Sequence, residues 1–516
     1  MTEHEANAAA DGDAEIKRVL THVPGLDAIL CGGFLSGGVY LIQGFAGSGK
    51  TVLASQIIYS HAAHGSRALF VTVLGENHGR MMAHLRPMRF FDQSLVPDRV
   101  SYISAYQALD ENKDGLRDLT ALLAREVQAH ESVLLVLDGL SAVEAKAGSA
   151  FEIKRFAHEL QALALATDCT MLLLTTPSGP QSTAEHTLVD GVIELQHRIY
   201  TPRSERRLLV HKTRGSRYLE GEHAFRISED GITVFPRIEA RFSNPTVSDG
   251  APRMRVPSGI ASLDELLHGG LPAASMVAVV GPAGAGKTTF GLQFLAVSSA
   301  AEPGLLFGCY ESPARLRLKA EAMGLGFAAA EQRGEIELLW YPVGEHILDE
   351  LAHRLLDAVQ RRGVKRLFID GISGFQECAL EPERMVRFWS TLAGQLRELG
   401  VTTVHTMELP ELMGTEIHTP TGGVSSIAEA FILLRYVELQ SRLFRLISVF
   451  KVRDGSFDPT IRGFTITNAG IVVGNQFEGV EAVLSGMARE AAKAAAVVSS
   501  EDSGARPSPN RTGRPG

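Results

Sequence analysis

Short, nearly unbroken apolar runs recur along the chain: VYLIQG at 39–44, ALFVTV at 68–73, VLLVLD at 133–138 and MLLLTT at 171–176. Longer stretches of helical spacing separate them. A run of four to six Val, Ile and Leu residues with no polar alternation predicts a strand covered on both faces, as in a parallel sheet flanked by helices. Two later regions read differently. IELQHRIY at 193–200 followed by RRLLVHK at 206–212, and ILLRYVEL at 432–439 followed by FRLISVFKV at 444–452, predict antiparallel hairpins added to the edge of such a sheet. The predicted class is α/β.

The pattern occurs twice. RVLTHVPGLDAILCGGFLSGGVYLIQGFAGSGK at 18–50 aligns without a gap to RVPSGIASLDELLHGGLPAASMVAVVGPAGAGK at 255–287. LLVLDGLSAV at 134–143 then matches LFIDGISGF at 367–375, and HKTRGS at 211–216 matches FKVRDGS at 450–456. An offset of 237 residues is too long for a solenoid unit and suits a duplicated domain. The predicted division is a disordered tail at 1–17, a first domain at 18–240, a Pro/Ser/Asn-rich linker at 241–254, a second domain at 255–484 and a disordered tail at 485–516 that opens with an alanine-rich, helix-compatible stretch.

Both copies carry G-x-x-x-x-G-K-[ST] between a strand and a helix, the context that gives the pattern meaning: GFAGSGKT at 44–51 and GPAGAGKT at 281–288. Gly44, Gly47, Ser48 and Gly49, and likewise Gly281, Gly284, Ala285 and Gly286, let successive backbone N–H groups curl round a phosphate at a helix N-terminus. Lys50 and Lys287 are placed to neutralise β- and γ-phosphates. Thr51 and Thr288 offer hydroxyls to Mg²⁺, and Thr289 follows in the second loop. Asp138 and Asp370 each end an apolar strand downstream and complete the expected metal site. The implied ligand is a nucleoside triphosphate, ATP, with Mg²⁺.

Composition removes other classes. The 516 residues are 45% hydrophobic and 21% charged, with no apolar run of bilayer length. MTEHEANAAADGDAEIKR has no signal-peptide apolar region, and Cys31, Cys169, Cys309 and Cys378 form no CxxC pair, so a reduced cytoplasmic protein is expected. Lys and Arg number 24 against 29 Asp and Glu in residues 1–245, and 26 against 30 thereafter. Neither half has the basic excess of a protein held to nucleic acid by phosphate contacts, which favours protein partners and small anions.

The paired loops, the GG motif before each, the D-G-L-S stretch, VDGVIEL at 189–195 and the K-x-R-[GD] endings resemble the KaiC family of circadian clock ATPases and autokinases. The resemblance spans about 18–484. It implies two RecA-like P-loop NTPase domains, mostly parallel sheets with helices on both faces, stacked as two rings of a homohexamer with ATP between neighbours. It implies that Lys212 and Arg214, and Lys451 and Arg453, reach a neighbour's phosphates as transition-state cations. It also implies regulatory protein partners.

The family carries paired glutamates after the second strand, which position and deprotonate the nucleophile. Here the second domain has Tyr310 then Glu311, and the first has Leu74-Gly75 then Glu76. A phenol with a pKa near 10 is no base at neutral pH, so Glu76 and Glu311 are the candidate bases and slow turnover is expected. The family's phosphorylated Ser/Thr pair precedes the I-L-L-x-Y-V-E strand, a place held by Ser425 and Ser426, which alternatively cap a helix through IAEAF. Two rival readings remain: a RecA-type DNA-dependent ATPase, and a scaffold held together by ATP with little hydrolysis.

Overall fold

The computed structural model describes residues 17–73, 78–110, 115–177, 188–200, 202–242, 254–409, 427–439, 441–453, 455–476, 480–481 and 489–490. In the first domain the apolar runs become β1 (Val39–Gln43), β2 (Ala68–Thr72), β4 (Leu134–Asp138) and β5 (Thr170–Thr175), joined by β3 (Val100–Ser104). These five are mutually parallel. The hairpin β6 (Gly191–Tyr200) and β7 (Arg203–Thr213) adds β6 parallel to β1 and β7 antiparallel to β6. A second hairpin, β8 (Glu222–Ser228) and β9 (Gly231–Phe235), extends the edge, giving the order β9-β8-β7-β6-β1-β5-β4-β2-β3.

The second domain repeats this with β10 (Met276–Gly281), β11 (Gly304–Gly308), β12 (Ile336–Trp340), β13 (Arg366–Asp370), β14 (Thr402–Glu408), β15 (Ala430–Leu439), β16 (Arg442–Val452), β17 (Arg462–Thr467) and β18 (Gly470–Gln476), in the order β12-β11-β13-β14-β10-β15-β16-β17-β18. Two tandem α/β domains of RecA-like P-loop type are thus present.

Every residue of β1, β2 and β5 is buried, because helices cover both faces. Helix α1 (Lys50–Ala63) packs on one face; α2 (Gly115–His130) and α3 (Ala150–Thr167) pack on the other. In the second domain α4 (Lys287–Ala296) takes the α1 position, while α5 (Leu348–Arg362), α6 (Ser373–Cys378) and α7 (Met385–Glu398) cover the opposite face. A buried glutamine on each loop helix fastens the outer hairpin. Gln56 accepts from the Ile232 N–H at 2.6 Å and donates to its carbonyl at 3.1 Å, and Gln293 accepts from the Ile471 N–H at 2.7 Å. The sequence pattern did not separate these outer strands from loops, since their stabilising partners lie some 176 residues away.

Polar contacts join the domains. Arg384 holds Glu239 at 2.8 Å and Asp349 at 3.1 Å, Arg207 reaches Glu381 at 2.7 Å, and Arg226 reaches Glu350 at 2.8 Å. Ile238 of the first domain belongs to the apolar core of the second.

Three sequence expectations change. The short helix Ile238–Arg241 carries regular structure to the first residue of the expected linker. Arg489–Glu490, inside the alanine-rich stretch read as helix-compatible tail, instead pair antiparallel with Val480–Glu481. Ile427 is helical but Ala430 begins β15, so the end of IAEAF is strand rather than helix. Strand pairing to β10 outweighs the local helical preference there.

Candidate nucleotide sites

Each phosphate-binding loop leaves the end of the central strand β1 or β10 and enters the N-terminus of α1 or α4. Gly49 and Gly286 cap those helices at φ +107° and +110°, a left-handed backbone that strains any residue with a Cβ. The loop lysines fold back over their own loops. Lys50 donates to the carbonyls of Gly44 and Phe45, and Lys287 to those of Gly281 and Pro282, both at 2.8 Å. Burial lowers both ammonium pKa values, opposed by Asp138 beside Lys50 and by Glu408 beside Lys287. A carbonyl-lined lysine of this kind gains by turning to a phosphate, which returns it a full opposite charge. The Ser48 hydroxyl is buried with no partner among the described residues.

The predicted metal residues meet in both copies. Thr51 Oγ1 donates to Asp138 at 3.3 Å and Thr288 Oγ1 to Asp370 at 3.4 Å. Thr406 also donates to Asp370 at 3.0 Å. Burial raises the Asp370 pKa, Thr406 lowers it and Glu311 raises it further. A divalent cation placed there would offset that penalty, so the donor set fits Mg²⁺.

The second site opens into a cavity of about 690 Å³, whose lining includes Lys287, Thr288, Asp370, Tyr310 and Glu311. Glu311 pairs with Lys319 at 2.8 Å. Glu377, Glu408 and Thr406 also line it, and none was singled out from sequence. Glu408 ends the buried strand β14 as Asp370 ends β13, and that shared strand-end position was the available signal. Glu76 lies outside the described residues, as do Ser425 and Ser426.

Lys212 and Lys451 stand near the ends of β7 and β16. In both hairpins the ladder slips by one residue beside them, at His211 and Phe450: Val192 pairs with Lys212 but Ile193 with Val210, and Phe431 with Lys451 but Ile432 with Val449. A bulge re-aims the side chain that follows it, and the same bulge in both copies gives both lysines the same aim. The Arg214 N–H is held by the Asp190 carbonyl and the Arg453 N–H by that of Glu429, each at 2.7 Å. Burial and the neighbouring arginine lower the pKa of each lysine.

Among the described residues no helix is long and apolar enough to cross a membrane. A family model described as "ATPase: KaiC" matches residues 19–239 and again 256–478. Circadian clock oscillator protein KaiC of Picosynechococcus sp. is 28% identical over 493 residues, covering 91% of this chain and 92% of that protein. The protein of that name from Thermostichus vulcanus is 28% identical over 513 residues, with 94% of each chain covered. Circadian clock oscillator protein KaiC 1 of Synechocystis sp. is 27% identical over 488 residues, covering 91% and 92%. Since the two matched segments take in both phosphate loops, both strand-end aspartates and both hairpins, the chain belongs to the KaiC family of ATPases.

Proposed function

We propose that both domains bind ATP with Mg²⁺, that the nucleotide lies between neighbouring copies in a homohexamer, and that the second domain phosphorylates Ser425 and Ser426. The observation that carries this reading is the convergence, in both copies, of the loop lysine, the following threonine and the strand-end aspartate. Thr51 and Asp138 in one domain, and Thr288 and Asp370 in the other, would hold Mg²⁺, which would neutralise charge developing on the phosphates. Lys50 and Lys287 bind the phosphates. Lys212 with Arg214, and Lys451 with Arg453, supply cations to a neighbour's nucleotide. Glu76 and Glu311 are the candidate bases for the nucleophile. The relatives are named clock oscillator proteins, which supports a signalling or timing role with regulatory protein partners.

Incubation with γ-labelled ATP and Mg²⁺ tests the reading. Free phosphate and label mapped to Ser425 or Ser426 are expected. Intact ATP retained by an assembled ring, with no labelled serine, would leave the ATP-held scaffold.

A further inference from the structure

The second site contains a hydroxyl and carboxylate cluster that the phosphate loop and metal residues do not use. The Tyr310 hydroxyl lies 2.9 Å from Glu377 Oε1 and 2.9 Å from Ser373 Oγ. All three residues line the 690 Å³ cavity with Lys287, Thr288 and Asp370. The tyrosine follows β11, while Ser373 and Glu377 stand on α6, which starts three residues after Asp370. Gly371 makes room for the ring: a Cβ there would come 2.6 Å from Tyr310 Cε2. The first copy has neither partner. Its matching positions are Leu74, and Ala145 in the stretch after Asp138. Tyrosine and glutamate are therefore present together in one copy and absent together from the other.

A phenol carries one proton and two lone pairs, whereas a carboxylate only accepts. The Tyr310 proton therefore points to Glu377, and the Ser373 hydroxyl can occupy one phenolic lone pair. One lone pair is left for a donor in the cavity, and Tyr310 is 48% exposed. Burial raises the phenol pKa to about 12, with Ser373 lowering it and Glu377 raising it, so the hydroxyl keeps its proton until that proton has somewhere to go.

We propose that Tyr310 is a catalytic residue of the second nucleotide site and Glu377 its positioning partner, together replacing the carboxylate missing from the tyrosine's position. The inference rests on the reading of that site as an ATP site, and it leaves Glu311 as the second carboxylate. The attacking water donates to the phenolic oxygen. As the water oxygen bonds to the γ-phosphorus, the bond from phosphorus to the bridging oxygen breaks and ADP leaves with that electron pair. The water proton passes to Tyr310 while the phenolic proton passes to Glu377, which is exposed and returns it to solvent.

The test uses the full chain with Mg-ATP, measuring phosphate release and bound nucleotide per chain. Lys287→Ala defines the second site's share of both. Tyr310→Phe and Glu377→Gln are each expected to lower that share of turnover by about a hundredfold, with KM and nucleotide stoichiometry unchanged. Tyr310→Glu places a carboxylate directly in the cavity, so Tyr310→Glu/Glu377→Gln should regain turnover that Glu377→Gln alone lacks. A purely structural Glu377 would not permit that rescue. Full turnover in Glu377→Gln, or a double variant as inactive as Glu377→Gln, overturns the proposal. So does phosphotyrosine at Tyr310, which would make the phenol itself the nucleophile. If Lys287→Ala changes neither turnover nor stoichiometry, the ATP reading of the second site fails instead.

Discussion

The guanidinium of Arg203, at the start of β7 in the first domain, donates to the backbone carbonyl of Glu377 in the second at 2.8 Å. Its other arm reaches the Gly344 carbonyl at 3.2 Å. Carbonyls in the last turn of a helix lack an intrahelical partner and carry partial negative charge, so a cation from the neighbouring domain satisfies the end of α6. The helix that follows Asp370 is thereby fixed from outside its own domain.

Arg203→Ala should therefore reduce ATP turnover in the second site without touching a nucleotide-binding group. A displacement of α6 by about 1 Å would cost up to about a hundredfold. Phosphate release checks this, and the effect should vanish in a Lys287→Ala background. An Arg203→Ala effect that persists there would place its action in the first domain.

Arg384 should be among the more costly single losses at the domain junction. It serves Glu239 and Asp349 together, and the Asp349 side chain is only 4% exposed. Removing the cation strands two largely buried carboxylates, which costs about 3–5 kcal/mol. Urea unfolding of Arg384→Ala should show that loss. Glu239→Gln/Asp349→Asn in the same background should recover part of it, because the stranded charges are then gone.

Acid should weaken the second domain through His405. This residue is 1% exposed, packs against Trp389 and has no partner among the described residues on either ring nitrogen, and burial pushes its pKa down to about 4. The unfolded chain takes up this proton near pH 6.5, so between about 6.5 and 4 the native state binds fewer protons. Stability then falls as pH falls, by about 2 kcal/mol at pH 5 for one such group. His223, also near 4, adds a similar loss in the first domain. His405→Leu should flatten the stability–pH curve over this window by the His405 share, read by denaturant titration at pH 7, 6 and 5.

ATP should drive assembly, since a ligand shared between copies favours the assembled form by mass action. Light scattering at micromolar protein should show a hexamer with ATP and a smaller species without it. Lys50→Ala should weaken assembly more than Lys287→Ala if the first domain holds the ring together, a role that the resemblance to the KaiC family implies. Equal losses would remove that division of labour, and a monomer at saturating ATP would remove the assembly itself.

Much of the site was legible because its chemistry is local in sequence. Eight residues from Gly44 to Thr51 make the loop, and a strand ending in Asp138 is visible as four apolar residues and an acid. The same holds at Gly281–Thr288 and Asp370. Glu377 was not legible. It stands within a six-residue helix with nothing in its own neighbourhood to set it apart from a surface acid, and its partner Tyr310 is 67 residues earlier. The one sequence feature that bears on it, a tyrosine where a glutamate is expected, shows what is missing from the site and gives no hint of where a substitute would come from.

The sequence by itself determined the duplicated α/β domain, its parallel core strands and the two phosphate loops, because each rests on periodicity or on residues adjacent along the chain. Only the tertiary structure decided the outer hairpins, the paired bulges that aim Lys212 and Lys451, the junction built on Arg384 and Arg203, and the Tyr310–Glu377 contact. Each of these depends on groups brought together from distant parts of the chain, or on a ladder slip set by the partner strand. Their geometry is fixed by packing across the sheets and between the domains, and no local pattern encodes it.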